Sequence, residues 1–276
     1  MNYCFLNGEI MPTSEAKVSV FDIGLLRGYG IYDGLTTIEG KPFRFIDHWK
    51  RFVGGAHALN LNIPITEEVC EKKITEIVKK SGLKDRAIIR VILTGGETLA
   101  GIEYDFEKPT FYITAEKWES LPAEIFEKGG KLVTYRHVRE MPEHKTINYI
   151  AGAKLQNWRK EEKAVEILYT YDGEVLECAT SNVFIIKNNT LITPVENVLK
   201  GITKKVILEL ADGKYKVEER PVLEEELKTA DEVFICSSFK DVAPITRIDN
   251  FVVGDGEVGL ITKDLMGQFA KILQMG

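Results

Sequence analysis

Several things are scarce in this 276-residue chain, and each scarcity removes a class of function. Cysteines number four, Cys4, Cys70, Cys178 and Cys236, scattered without a CxxC pair, so neither a zinc cluster nor a disulfide framework is expected. No apolar run approaches the ~18 residues of a membrane span. The opening MNYCFLNGEIM has no basic start followed by a long apolar stretch, so no secretory signal is expected and a reduced, cytoplasmic setting fits best. Positive charge is in deficit: 36 Lys and Arg against 42 Asp and Glu leave a net charge of −6. With no basic stripe, recognition of nucleic acid through bulk charge is excluded. Internal repeats and low-complexity segments are missing too.

What is present is ordinary for a globular protein, 44% hydrophobic and 28% charged residues, and the length allows two modest domains. Asn7-Gly8 between apolar runs predicts a hairpin. Helical spacing runs from Ile46 to Leu61 through Trp49, Phe52, Val53, Ala56 and Leu59. A second helix is expected from Thr66, with Val69, Ile74, Ile77 and Val78 apolar and Gly82 ending it. AIIRVILTG and TFYITAE read as strands. EKWESLPAEIFEKGG has proline, glycines and no period, which sets a linker at 118–130 between an N-terminal domain, 1–117, and a C-terminal domain, 131–276. Beyond it KLVTYRHV reads as a strand and Ile150–Lys163 as one helix. Hairpins are expected at Asp172-Gly173 and Asn188-Asn189, helices at Ile202–Leu210 and Leu223–Lys228, a strand at DEVFICSS and a closing helix at ITKDLMGQFAKIL. Strands and helices without strict alternation imply an α+β chain.

Four stretches carry chemistry. In EHKTINY a single lysine, Lys145, stands apart from the charged clusters, beside Ile147, Tyr149 and Ile150. Apolar surroundings that lower a lysine's proton affinity make it a nucleophile toward carbonyls. In LECATSNVFII, Glu177 ends one apolar strand and Asn182 begins another. A carboxylate buried there needs a partner, and a protonated pyridine nitrogen is one candidate. KGIT, 200–203, runs into a helix whose first amides, with Gly201 and the Thr203 hydroxyl, suit a phosphate. CSSF supplies Ser237 and Ser238 for the same anion, and Arg51 is a candidate counter-charge. Taken singly, each has a plainer reading: a solvated loop lysine, a turn acid, a capped helix, a surface arginine.

Together, in this order, HKTIN, E-x-x-x-S-N-V-F, L-K-G-I-T and the Ser-Ser stretch before RID resemble the fold-type IV aminotransferases that use pyridoxal 5′-phosphate. That group holds D-amino-acid aminotransferases, branched-chain aminotransferases and aminodeoxychorismate lyases. The resemblance covers nearly the whole chain and implies a two-domain D-amino-acid aminotransferase-like architecture. It implies that Lys145 carries the cofactor covalently and later moves the proton between the substrate Cα and the cofactor. It assigns Glu177 to the ring nitrogen and Arg51, Ile202, Thr203 and Ser238 to the phosphate, where the residue types also set Gly201 and Ser237. Tyr149 stands near the place of a tyrosine for the ring oxygen.

The reaction implied is transfer of an amino group between an amino acid and a 2-oxo acid such as 2-oxoglutarate or pyruvate. The family further implies a homodimer, its sites completed by a partner loop from Arg27 or from Leu99–Tyr104. FDIGLLRGYGIYDGLTTIEG resembles the substrate-pocket strand, with Tyr32 in the place of a pocket aromatic. The Arg-x-His pair of well-known D-amino-acid enzymes is missing after TGGETLAG, and the branched-chain carboxylate turn is altered to Ser-Ser-Phe-Lys. Arg27 and Arg90, expected in pocket-facing strands, and Lys240 in the adjoining turn are therefore the candidate grips for a substrate carboxylate. The arginines favour D-amino acids, with a branched-chain L-aminotransferase and an aminodeoxychorismate lyase as alternatives. Pairing of both arginines with nearby acids such as Asp33 or Asp85 is the competing structural explanation.

Overall fold

The computed structural model describes residues 2–275. The chain divides into two units, residues 2–119 with 144–148, and residues 120–143 with 149–275.

The first unit holds, in chain order, β1 (Tyr3–Leu6), β2 (Glu9–Pro12), α1 (Ile23–Arg27), β3 (Gly30–Ile38), β4 (Lys41–Pro42), α2 (Phe45–Ala58), α3 (Glu67–Lys80), β5 (Ala87–Thr94), β6 (Thr98–Ala100), β7 (Glu103–Tyr104) and β8 (Thr110–Lys117). Six strands form an antiparallel sheet in the order β2-β1-β8-β5-β3-β4, and β6 pairs with β7. The Asn7-Gly8 hairpin forms, with both residues at positive φ, as a two-residue turn between right-twisted strands requires. Alternation along β3 sends Ile31 and Leu35 into the core with Ile89, Val91 and Leu93 of β5 and the apolar sides of α2 and α3. On α2 the buried residues include Phe45, Trp49, Phe52 and Ala56, and the first three rings stack at 6.1 and 5.8 Å. Ile46, expected on that side, is 56% exposed because Phe45 takes the inward position. Thr66 caps α3 by accepting from the Val69 amide, as expected, while Cys70 rather than Val69 is buried.

Arg27 departs from expectation. It lies in the last turn of α1, not in a strand. The buried Asp22 caps that helix by accepting from Gly24 N, and it also accepts from the Thr94 hydroxyl at 2.9 Å. One further element completes the unit. Thr146 bridges to Ile31, Tyr32 N donates to Lys145 O at 2.9 Å, and Ile147 N donates to Gly30 O at 3.0 Å. Residues 145–147 thus cover the part of the β3 edge that the short β4 leaves open.

The second unit holds α4 (Ala123–Lys128), β9 (Gly130–Arg136), α5 (Ile150–Lys154), α6 (Gln156–Glu161), β10 (Glu166–Tyr171), β11 (Glu174–Cys178), β12 (Asn182–Lys187), β13 (Thr190–Thr193), α7 (Ile202–Ala211), β14 (Lys216–Glu219), β15 (Val222–Leu223), α8 (Glu224–Thr229), β16 (Glu232–Ser237), β17 (Asp241–Ile248), β18 (Phe251–Val252) and α9 (Leu260–Met275). Its sheet runs β14-β13-β12-β16-β17-β9-β10-β11-β15, with β18 against β17. Parallel pairs (β9 with β10 and with β17, β13 with β14) mix with antiparallel hairpins. The expected single helix over 150–163 is two short ones meeting at Leu155. The Gln156 side-chain amide takes the Gly152 carbonyl at 2.9 Å, the acceptor that the Gln156 backbone would use in an unbroken helix. Both predicted hairpins form, at Asp172-Gly173 and Asn188-Asn189.

Candidate active site

In the first unit the candidate side chains gather around β3. Its even positions point away from the helices, which places Tyr32 on the sheet face opposite the core. The Lys145 ammonium lies over the Tyr32 ring, 4.6 Å from the centroid, a cation–π contact. Backbone pairing on the strand edge holds the lysine in place, and a ring steadies its charge. Arg90 shares that face: it pairs with Gly34, two positions from the Tyr32–Ile92 pair. Its guanidinium bonds Glu116 at 2.6 Å, with the side chains 34% and 50% exposed. The acid is therefore neither Asp33 nor Asp85. Arg27 is exposed, and its Nη1 donates to the Leu26 carbonyl.

On the opposite face lies a group that sequence inspection passed over. Asp33 is 1% exposed. Its carboxylate accepts from Arg51 Nε and Nη2, both at 2.8 Å, and from His48 Nδ1 at 2.7 Å. His48 and Arg51 stand three residues apart on α2, about one turn, so both reach the same strand position. Burial pushes the Asp33 carboxyl up, but the neighbouring Arg51 and His48 hold it well below the usual carboxylate range. Burial depresses His48, and Arg51 and Lys145 add to that against the opposing pull of Asp33. His48 is therefore a neutral ring donating through Nδ1. The strand alternation was the available signal: an acid between Ile31 and Leu35 on an apolar face must find partners.

In the second unit Glu177 sits near the end of β11, 5% exposed. Its Oε1 accepts from Arg139 Nε at 2.7 Å and its Oε2 from the Leu199 amide at 3.0 Å. The Leu199 carbonyl in turn accepts from Asn182 Nδ2 at 2.9 Å. Leu199 therefore joins the two motifs, E-x-x-x-S-N and L-K-G-I-T, that the sequence holds apart. Gly201 caps α7, whose first-turn amides point out of the helix as at any N-terminus. A Cβ at position 201 would collide with Asn182 Oδ1, so any side chain there must displace the Asn182 amide. Ile202 and Thr203 follow in the first turn, both buried. Tyr149 is the residue before α5. Ser237 ends β16 and Ser238 begins the next turn.

Lys240, a candidate carboxylate grip, is already engaged. Its ammonium donates to Glu166 Oε2 at 2.8 Å and to Thr180 Oγ1 at 2.5 Å, while its amide donates to Ser237 Oγ at 3.3 Å. Burial raises Glu166, 3% exposed, but Lys240 and the Thr180 hydroxyl outweigh it and keep the acid ionised below the usual range. Lys240 thus ties its turn to β10. Neither Glu166 nor Arg139 carries a local sequence signal, since their partners lie 74 and 38 residues away.

Comparison with known proteins supplies the family. Residues 30–248 match the amino-transferase class IV family. A putative branched-chain-amino-acid aminotransferase of Methanocaldococcus jannaschii is 34% identical over 97% of this chain and 95% of its own length. A D-alanine aminotransferase of Staphylococcus haemolyticus is 31% identical over 99% of both chains. Among solved structures, the Escherichia coli branched-chain amino acid aminotransferase superposes with a TM-score of 0.92 at 25% identity, covering 99% of this chain and 94% of the other. A second branched-chain amino acid aminotransferase, from T.th. and solved with pyridoxamine 5′-phosphate, gives 0.92 at 26%, again covering 99% and 94%. With the family pattern spanning most of the sequence and relatives aligned end to end, this chain belongs to the class IV aminotransferases.

Proposed function

We propose that this pyridoxal-phosphate-dependent aminotransferase moves amino groups between D-amino acids and a 2-oxo acid. The residues present fit the cofactor. Glu177 is a buried acid held by a cation and an amide, and α7 begins at a glycine packed against the Asn182 amide. Thr203 and Ser238 add hydroxyls for the phosphate, and Arg51, oriented by Asp33, adds positive charge. When bound, the cofactor supplies an electron-withdrawing ring that stabilises negative charge at the substrate Cα. Lys145 would hold the cofactor covalently and, once the substrate amine had displaced it, its freed amine would take the proton from the substrate Cα. Glu177 would stand against the ring nitrogen and favour its protonated form.

The observation that carries the assignment to Lys145 is its tethering along the β3 edge with its ammonium over Tyr32. The D preference rests on Arg90, which shares the face of Tyr32. Its half-exposed pair with Glu116 is of the weak, exchangeable kind, so a substrate carboxylate can replace Glu116 on the guanidinium. A branched-chain L-aminotransferase is the second reading, favoured by the Methanocaldococcus jannaschii relative. Initial rates with D-alanine, D-glutamate, L-leucine and L-valine against 2-oxoglutarate separate the two. Turnover of the D-substrates, with KM raised by Arg90→Gln, is expected; turnover of only the L-substrates would sink the D assignment. Release of pyruvate from aminodeoxychorismate without amino transfer would indicate a lyase instead.

The assembly we propose is a homodimer. Phe21, Leu25, Leu99 and Ile102 of the first unit are all more than 60% exposed, and an apolar set of this size in one unit suits a second copy of the chain. The segment Leu99–Tyr104 is the part we expect to reach the partner's site.

A further inference from the structure

We infer that Arg139 is a positioning residue for the reaction, fixing the Glu177 carboxylate and keeping it the unprotonated member of its pair with the cofactor ring. The inference rests on the reading that Glu177 serves the ring nitrogen.

Both side chains are 7% exposed, and they meet at 2.7 Å. Arg139 takes Oε1 and the Leu199 amide takes Oε2, so each carboxylate oxygen has its own donor and the plane of the group is set. Arg139 is itself anchored, since its Nη2 donates to the carbonyl of Pro142. The guanidinium therefore spans two partners on different parts of the second unit, one being the stretch that leads into Lys145 three residues later.

The chemistry depends on where one proton resides. A buried carboxylate without a cation binds a proton more tightly, because burial disfavours its charge. Beside a pyridine nitrogen such an acid would keep the shared proton, leaving the ring neutral and a weak electron acceptor. A guanidinium in contact reverses that preference, and the proton stays on the ring. Other groups in this field have commitments of their own. Tyr169 is pushed up by burial first and then by Glu166, Tyr149 and Glu177, so it remains a neutral phenol. Lys240 is committed to Glu166 and Thr180. Lys204 donates to Pro194 O and pairs with Glu219.

The experiment is a double-mutant cycle on the holoenzyme with Arg139→Met, Glu177→Gln and the pair. Arg139→Met is expected to lower kcat by roughly 10–100-fold, the usual effect of removing a group that orients a reacting one, with KM little changed. Its visible absorption band should move toward that of Glu177→Gln. The pair should be no slower than Glu177→Gln alone. Arg139→Lys should recover part of the loss, because an ammonium reaches one partner but not both in the planar fork. Thermal melts of each variant confirm that the fold is kept. If Arg139→Met does not fold, Arg139→Lys carries the same cycle. Wild-type kcat, an unmoved band, or a loss that multiplies unchanged in the Glu177→Gln background overturns the positioning role while leaving Glu177 in place. Full turnover by Glu177→Gln overturns the reading of Glu177 itself, and this inference with it.

Discussion

At the residue scale, two charged groups divide the work of the site. Lys145 is the proposed reactive group, and its replacement is the most direct test. Lys145→Ala should lower turnover by roughly 10²–10⁴-fold, the range supplied by a positioned proton-transfer group. Borohydride reduction of the wild-type holoenzyme followed by peptide mapping should find the cofactor mass on the peptide containing Lys145 and nowhere else. Asp33 is the structural counterpart. Its carboxylate satisfies Arg51 and His48 at once, so Asp33→Asn leaves a guanidinium without its counter-charge in the interior. Breaking a buried pair in this way costs about 3–5 kcal/mol, measurable in urea or thermal unfolding.

The same group sets a pH response. Asp33 is held below the usual carboxylate range, so its stabilisation is complete above about pH 4 and is lost only in stronger acid. His48 is depressed by burial, so as pH falls below ~6.5 the unfolded chain takes up a proton that the folded chain refuses. Stability should decline through that window. His48→Asn should flatten part of the decline, leaving the share of His137, which burial and then Arg139 also depress.

At the scale of elements, local pattern made most of the fold legible. Asn7-Gly8, Asp172-Gly173 and Asn188-Asn189 announced their hairpins, and Thr66 its helix, because those signals act over a few residues. Arg27 was misread because a five-residue helix has too few turns to show a period. The helix over 150–163 was misread because a side chain, Gln156, competes for a backbone acceptor. Of the candidate functional residues, Lys145, Glu177 and the start of α7 could be singled out from residue type and order. Asp33, Glu166 and Arg139 could not, since what makes each matter is a partner distant in sequence.

The junction at Leu199 yields a prediction at this scale. Gly201→Ala would drive its methyl against Asn182 Oδ1, 1.9 Å away, and so loosen the clasp on the Leu199 carbonyl. Overpacking of this kind costs about 1–3 kcal/mol. Cofactor retention on a desalting column should fall. Trimming Asn182 to alanine in the same chain should relieve the clash without restoring the Leu199 bond, giving intermediate retention.

At the scale of the whole molecule, the apolar residues left exposed on the first unit predict assembly. Leu25→Glu with Ile102→Glu should turn a dimer into a monomer on size-exclusion chromatography at micromolar concentration, and turnover should fall with it. A chain that elutes as a monomer before any substitution would overturn the proposed assembly.

The strand edge at Gly30–Tyr32 is closed by residues 145–147, part of a segment, 144–148, that belongs to the first unit although the chain before and after it belongs to the second. Synthesis therefore cannot finish the N-terminal half in order: a ribosome that has made the first 119 residues has released a sheet with a bare border, and must add about thirty more before that border is sealed. A gene cut after residue 119 would yield a sticky fragment rather than a free-standing module, and Lys145 would be lost with the missing hem.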